Sequence, residues 1–223
     1  MLRLGEQNIK GLRLGDQKIK KAYLGESLVF SEAKPSRLPE GYTELQYIEN
    51  PNLAYIQMNS YLATTISKSW EIIFEIIDST INAYLIGSNT NYLYYNRNTK
   101  RIIFYNKTTY GGGQNSFDIS SMLLEKFVFS YDRPTNTVTL NGDSKTGYQY
   151  SSSGINSLFA KNGANASNFR LFNFKTSDYK FVPAIRENDR KVGLFNLTSY
   201  ESTGDIYFLI SANANNFSAG LPV

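Results

Sequence analysis

Trp70-Glu71-Ile72-Ile73-Phe74-Glu75-Ile76-Ile77 decides the fold class. Read with the two-residue period of an extended chain, it puts Trp70, Ile72, Phe74 and Ile76 on one face. The other face alternates Glu71, Ile73, Glu75 and Ile77, a mixture that fits a sheet surface half covered by its neighbours. The run is a strand with one side turned to a core.

The same pattern recurs outward from it. Tyr92-Leu93-Tyr94-Tyr95 and Arg101-Ile102-Ile103-Phe104-Tyr105 flank a polar turn, Asn96–Lys100, and read as a hairpin. Phe127–Tyr131 and Thr137–Leu140 flank Asp132-Arg133-Pro134-Thr135-Asn136, and Asn141-Gly142 supplies the next turn. Further strands are expected at Phe169–Phe174, Tyr179–Arg186, Val192–Leu197 and Ile206–Ile210, with a helix of one or two turns near Ser120–Lys126. Some ten to twelve short strands at this spacing predict an all-β, two-sheet sandwich. The composition agrees: 17 Tyr and 14 Phe among 223 residues, abundant Asn and scattered Gly make up sheets joined by polar turns.

The first thirty residues have their own logic. Leu4-Gly5-Glu6-Gln7, Leu14-Gly15-Asp16-Gln17 and Leu24-Gly25-Glu26-Ser27 repeat at a ten-residue step, each followed by Ile9, Ile19 or Val29. That step accommodates strand, tight turn and strand, with Gly before an acidic residue suited to a two-residue II′-type turn. Such a ribbon is too narrow to bury its apolar side alone. Leu4, Ile9, Leu14, Ile19, Leu24 and Val29 are therefore expected to complete their core against other copies. Three chains around an axis would leave no free edge, which makes residues 1–30 an assembly or anchoring segment. Residues 31–40 carry two prolines and read as a linker, and 41–223 as the sandwich.

Composition excludes much chemistry. The chain holds no Cys and no His, so disulfides, Cys-based zinc sites, thiol nucleophiles and His-based triads are impossible. A net charge of +4 spread over dispersed Lys and Arg, with no basic block longer than Lys18–Lys21, argues against nucleic-acid binding. No stretch is long and apolar enough for a bilayer-spanning helix, and no membrane insertion is expected. The opening Met1-Leu2-Arg3-Leu4-Gly5 lacks the apolar core of a signal peptide.

An enzyme without His must use carboxylates, Tyr, Lys or Ser. Glu71 and Glu75 share a face but stand roughly 13 Å apart along a strand, too far for the carboxyl pair of a glycosidase. Asp132, Asn141 and Asp143 sit in turns where oxygens could surround calcium, although turns are rich in these residues anyway. No catalytic residue, cofactor or metal ligand is assigned. The aromatic inventory says more: Tyr92, Tyr94, Tyr95, Tyr105 and Tyr110 concentrate around one hairpin and its Gly-rich loop. Sugar rings present apolar C–H faces and many hydroxyls, which tyrosine meets with both ring and hydroxyl. Tyr92, Tyr94 and Tyr110, with amides from Asn89, Asn91, Gln114 and Asn115, form the expected carbohydrate site. Thr108–Asn115 is the Gly-rich loop beside it, and the other long loop, Ser151–Asn168, is the alternative place for a binding site.

Leu38-Pro39-Glu40-Gly41-Tyr42-Thr43-Glu44-Leu45-Gln46-Tyr47-Ile48-Glu49 resembles the opening sequence of many bacteriophage tail and baseplate proteins. Phe181-Val182-Pro183-Ala184-Ile185-Arg186 and Val192-Gly193-Leu194-Phe195-Asn196-Leu197 resemble the closing signature of the same family, with Asn196 where the family has Asp. The stretch Asn50–Ile56 departs from the family's pattern. The resemblance implies a concanavalin A-like, laminin-G-like jelly roll on a virion component that acts at the host cell surface. It also implies a homotrimer. The function expected is non-catalytic binding of a host surface polysaccharide by a tail-tip or baseplate receptor-binding protein. The alternatives are a structural tail protein that binds only other virion proteins, and a polysaccharide depolymerase.

Overall fold

The computed structural model describes residues 3–4, 7–8, 12–14, 17–19, 21–24, 27–31, 37–50, 54–57, 69–87, 91–106, 113–122, 125–146, 157–159, 169–212 and 217–223. The chain divides into two compact units, Met1–Arg37 with Val223, and Leu38–Pro222.

The first unit is a series of hairpins. β1 (Arg3–Leu4) pairs with β2 (Gln7–Asn8), β3 (Leu12–Leu14) with β4 (Gln17–Ile19), and β5 (Lys21–Leu24) with β6 (Ser27–Ser31). Leu4 stands opposite Gln7, Leu14 opposite Gln17 and Leu24 opposite Ser27. Each connection is therefore two residues long, a Gly and an acid, the length the repeat predicted. Leu4, Leu14, Ile19, Leu24 and Val29 fall on these strands, and Ile9 lies outside the described residues.

The second unit begins with β7 (Tyr42–Glu44), β8 (Ile48–Glu49) and β9 (Ile56–Gln57). β10 (Trp70–Ile76), β11 (Ala83–Gly87), β12 (Asn91–Asn96), β13 (Arg101–Asn106) and β14 (Gly113–Asp118) follow. Then come β15 (Lys126–Asp132), β16 (Thr137–Leu140), β17 (Asp143–Thr146), β18 (Ser157–Leu158), β19 (Phe169–Thr176), β20 (Lys180–Arg186) and β21 (Lys191–Asn196). Helix α1 (Leu197–Thr203), β22 (Phe208–Ile210) and β23 (Ser218–Ala219) complete it.

Among the described residues these strands make two antiparallel sheets. The larger runs β17-β16-β15-β10-β19-β20-β21-β22, with β7 added on β20, β8 on β19, and β23 on β8. The smaller runs β14-β13-β12-β11-β18-β9. The predicted all-β jelly-roll sandwich is the architecture of this unit.

Alternation sets the interface between the sheets. Trp70, Ile72, Phe74 and Ile76 are buried, as their spacing required. Trp70 packs edge-on against Phe104 of the smaller sheet at 5.7 Å between ring centroids, and lies 5.4 Å from Phe129. Phe117 meets Phe129 at 6.3 Å, and Phe159, just after β18, stacks on Phe169 at 4.3 Å. Each such ring pair adds roughly 0.5–1.5 kcal/mol beyond the area it buries.

Turn chemistry fixes the registers. Asn141 and Gly142 both have positive φ, 48° and 91°, so β16 and β17 meet in the two-residue I′ geometry with Leu140 opposite Asp143. Lys100 lies in the turn between β12 and β13 and Asn136 in that between β15 and β16, each with φ of 52°. At the far end of the larger sheet, β20 is buried on both faces. A second cluster of Leu38, Val182, Ala184, Phe195 and Leu197 lies there, with Tyr42, Tyr200 and Phe208 packed against it.

The helix is not where the sequence placed it. In Ser120–Lys126 the described residues close as turns, with Met122 N–H donating to Ile119 and Glu125 N–H to Met122. The helix lies instead at Leu197–Thr203, where the Asn196 carboxamide oxygen caps the Ser199 N–H and Gly204 ends it at φ 78°.

Candidate functional site

The outer face of the smaller sheet carries a tyrosine surface. In β12, Asn91, Leu93 and Tyr95 point to the core, so Tyr92 and Tyr94 point away from it and are half-buried. Register then brings the others together: Tyr94 stands opposite Tyr84 on β11 and Ile103 on β13, and Tyr92 stands opposite Gly87 and Tyr105. Gln114 on β14 follows Tyr105 in the same row.

Tyr84 stacks on Tyr94 at 5.5 Å and meets Tyr92 edge-on at 5.6 Å. Tyr92 lies 5.5 Å from Tyr94 and stacks on Tyr105 at 4.9 Å. The four rings form one continuous surface across β11, β12 and β13. Ile103, in the same outward row as Tyr94, is only 5% exposed.

Burial pushes the Tyr92 phenol up to about 12, and the adjoining phenols of Tyr84, Tyr94 and Tyr105 push the same way. Tyr84 is raised too, first by burial and then by Tyr94. These two hydroxyls stay protonated at neutral pH.

Part of the predicted site is corrected. Asn91 and Asn115 are buried, at 5% and 6% exposure, on the core side of β12 and β14. Their parity with Leu93 and Phe117 turns them inward, so they are not surface amides. Tyr95 is fully buried too, and its hydroxyl donates to the Ser79 carbonyl at 3.1 Å. Gln114 and Asn115 belong to a strand, not to a loop, and Ser157–Leu158 forms β18 within the predicted Ser151–Asn168 loop. Asn89 and Tyr110 lie outside the described residues. Tyr84 was missed, although its place in the strand-like Ala83–Gly87 could have flagged it.

The carboxylates separate into different roles. Glu75 meets the Arg170 guanidinium at 3.4 Å, and the same Arg holds Glu49 at 2.9 Å. Asp132 accepts from Ser69 Oγ at 2.9 Å and Thr135 Oγ1 at 2.6 Å, bonds that hold it below the usual carboxylate range. Asp132 stands opposite Thr137 and Asp143 opposite Leu140, so β16 separates the oxygens that the calcium reading needed together. Asn141 is engaged as well, its Oδ1 accepting from Val128 N–H at 2.8 Å.

No protein-family model matches the chain, and no curated protein matches it. Among solved structures it is similar to the mouse laminin alpha1 chain, domains LG4-5, at 10% sequence identity and a TM-score of 0.39. That likeness covers 67% of this chain and 44% of the laminin chain, so the protein spans less than half the length of that structure.

Proposed function

We propose that this chain is a non-catalytic receptor-binding protein of a bacteriophage tail tip or baseplate, whose sandwich engages a host surface polysaccharide. The observation that carries the reading is the contiguous outward surface of Tyr84, Tyr92, Tyr94 and Tyr105, with Gln114 beside it. Stacked rings give a rigid platform for the apolar face of a sugar, and their hydroxyls bond its rim at low entropic cost. The phage assignment rests on the opening and closing motifs. In the same reading the N-terminal hairpins join three copies and hold them to the tail.

Tyr94→Ala and Tyr105→Ala test the binding face. Both variants should stay folded, with a melting temperature lowered by only a few degrees for the lost ring contacts, and lose adsorption to immobilised bacterial cell-wall polysaccharides. Folded variants that adsorb normally would leave the tyrosines as cross-strand packing and favour a purely structural tail protein. Release of reducing ends from the same polysaccharides would establish a depolymerase. Deleting residues 1–30 should convert a trimer into a monomer by light scattering, and a monomeric full-length chain would remove the assembly reading.

A further inference from the structure

The larger sheet has an outward depression at the start of β10, away from the tyrosine surface. Its floor is the backbone of Trp70, Tyr131 and Thr176, which stand side by side on β10, β15 and β19. Two rows of outward side chains line it. Ser130, Glu71 and Lys175 form one row by direct pairing. Asp132, Ser69 and Ser177 form the next, joined by the Ser69–Asp132 bond and by Ser177 N–H donating to the Ser69 carbonyl at 3.0 Å.

Three of these six residues are serines, and short side chains on a sheet face leave a hollow. It measures about 380 Å³, within the roughly 300–1,000 Å³ of small-molecule sites.

The polar groups in the hollow are of two kinds. Asp132 and Ser69 are committed to the local turn, since Ser69 Oγ also accepts from Arg133 N–H at 3.1 Å. Among the described residues Glu71, Lys175, Ser130 and Ser177 have no side-chain hydrogen bond or ion pair. Glu71 and Lys175 are direct cross-strand neighbours of opposite charge, yet they do not join. Glu75, one pleat further along the same strand, does pair with a cation. A carboxylate, an ammonium and two hydroxyls thus converge unengaged on one concave site.

We propose that this hollow is a second ligand site, and that it takes a single hydroxyl-rich ring, a saccharide unit. The Glu71 carboxylate accepts from two adjacent hydroxyls of the ring, the Lys175 ammonium donates to a third oxygen, and Ser130 and Ser177 serve either way. The site is separate from the tyrosine surface, and it stands if that surface proves to be packing only.

Trp70 is the chain's single tryptophan, so tryptophan-selective isotope labelling identifies its backbone amide, which lies in the floor of the hollow. Glucose, galactose, mannose and N-acetylglucosamine are titrated in turn into the isotope-labelled full-length protein. At least one should shift the Trp70 amide saturably. Losing a hydrogen bond to a charged group should weaken that response about ten-fold or more in Glu71→Gln and in Lys175→Met. The response should persist in Tyr94→Ala, which disables only the proposed tyrosine surface. No saturable shift with any of the four sugars overturns the proposal, and so does an undiminished response in both charge variants. A shift produced by glycine but by no sugar would reassign the hollow to a zwitterion and overturn the saccharide class.

Discussion

Replacing Gly87 by alanine tests how the tyrosine surface is seated. Gly87 faces Tyr92 across β11 and β12. A methyl placed on it would come within 2.5 Å of Tyr92 Cβ, and within 3.1 Å of Tyr92 Cα and the Asn91 carbonyl oxygen. Carbon atoms in contact rest about 3.5–4.0 Å apart, so the closest approach is short by about 1 Å or more. The atoms that must give are backbone and a Cβ, not a flexible side-chain end. β12 cannot retreat freely, because Tyr92 is stacked on Tyr105 at 4.9 Å on its other side.

Overpacking of this kind costs about 1–3 kcal/mol, and the stiffer unfolded chain of alanine returns about 0.4–1 kcal/mol. At the middle of each range the net loss is about 1.3 kcal/mol, or a fall in Tm of about 3–5 °C. Urea unfolding with an unchanged m-value measures it. The decisive comparison is the same substitution in a Tyr92→Gly background, where the 2.5 Å contact no longer exists. There the cost should shrink by about 1 kcal/mol or more. A Gly87→Ala chain as stable as the parent, or equal destabilisation in both backgrounds, would refute the reasoning.

Phe129→Ala removes a fully buried ring packed on Trp70, Phe104 and Phe117, and should cost about 3–5 kcal/mol in chemical denaturation. Asn196→Ala deletes the acceptor for Ser199 N–H and should cost about 1 kcal/mol, which Asn196→Asp largely restores. Tyr92 and Tyr131 are both pushed up to about 12, first by burial. The folded chain therefore keeps protons that the unfolded chain loses near the ordinary tyrosine value of 10.0. Stability present below that pH should be lost as pH rises toward about 12. Melting curves against pH, beside tyrosinate absorbance, read this window, and a flat Tm across it would contradict the burial.

The sandwich was legible where a local rule acts alone. Alternation from Trp70 to Ile76 and the Asn141-Gly142 turn need no distant partner to be read. The candidate site was half legible for the same reason. Parity along Asn91–Asn96 already ties Asn91 and Tyr95 to Leu93, and following it strictly would have turned both inward. Tyr84 was harder, because the register shifts between Tyr84 and Ile86 and breaks simple alternation in β11. The short helix was hidden by poor intrinsic formers in Leu197–Thr203. Its caps, Asn196 and Gly204, were the available signal. The hollow around Glu71 could not be read at all, since nothing local makes β15 and β19 the neighbours of β10.

That strand order also bears on how the chain reaches its native state. Ile72 lies opposite Phe129 on one side and Phe174 on the other, while Ile48 is paired with Leu171 and Ala219. β10, at the centre of the larger sheet, must wait, apolar side unprotected, until the chain up to Thr176 of β19 has left the ribosome. Sequence-distant pairing of this kind makes for slow folding and a long interval of exposure to aggregation. A chain halted before Ala219 would lack the strand that seals Ile48. Yield during expression should therefore respond to temperature and chaperone supply more steeply than the finished protein's stability would imply.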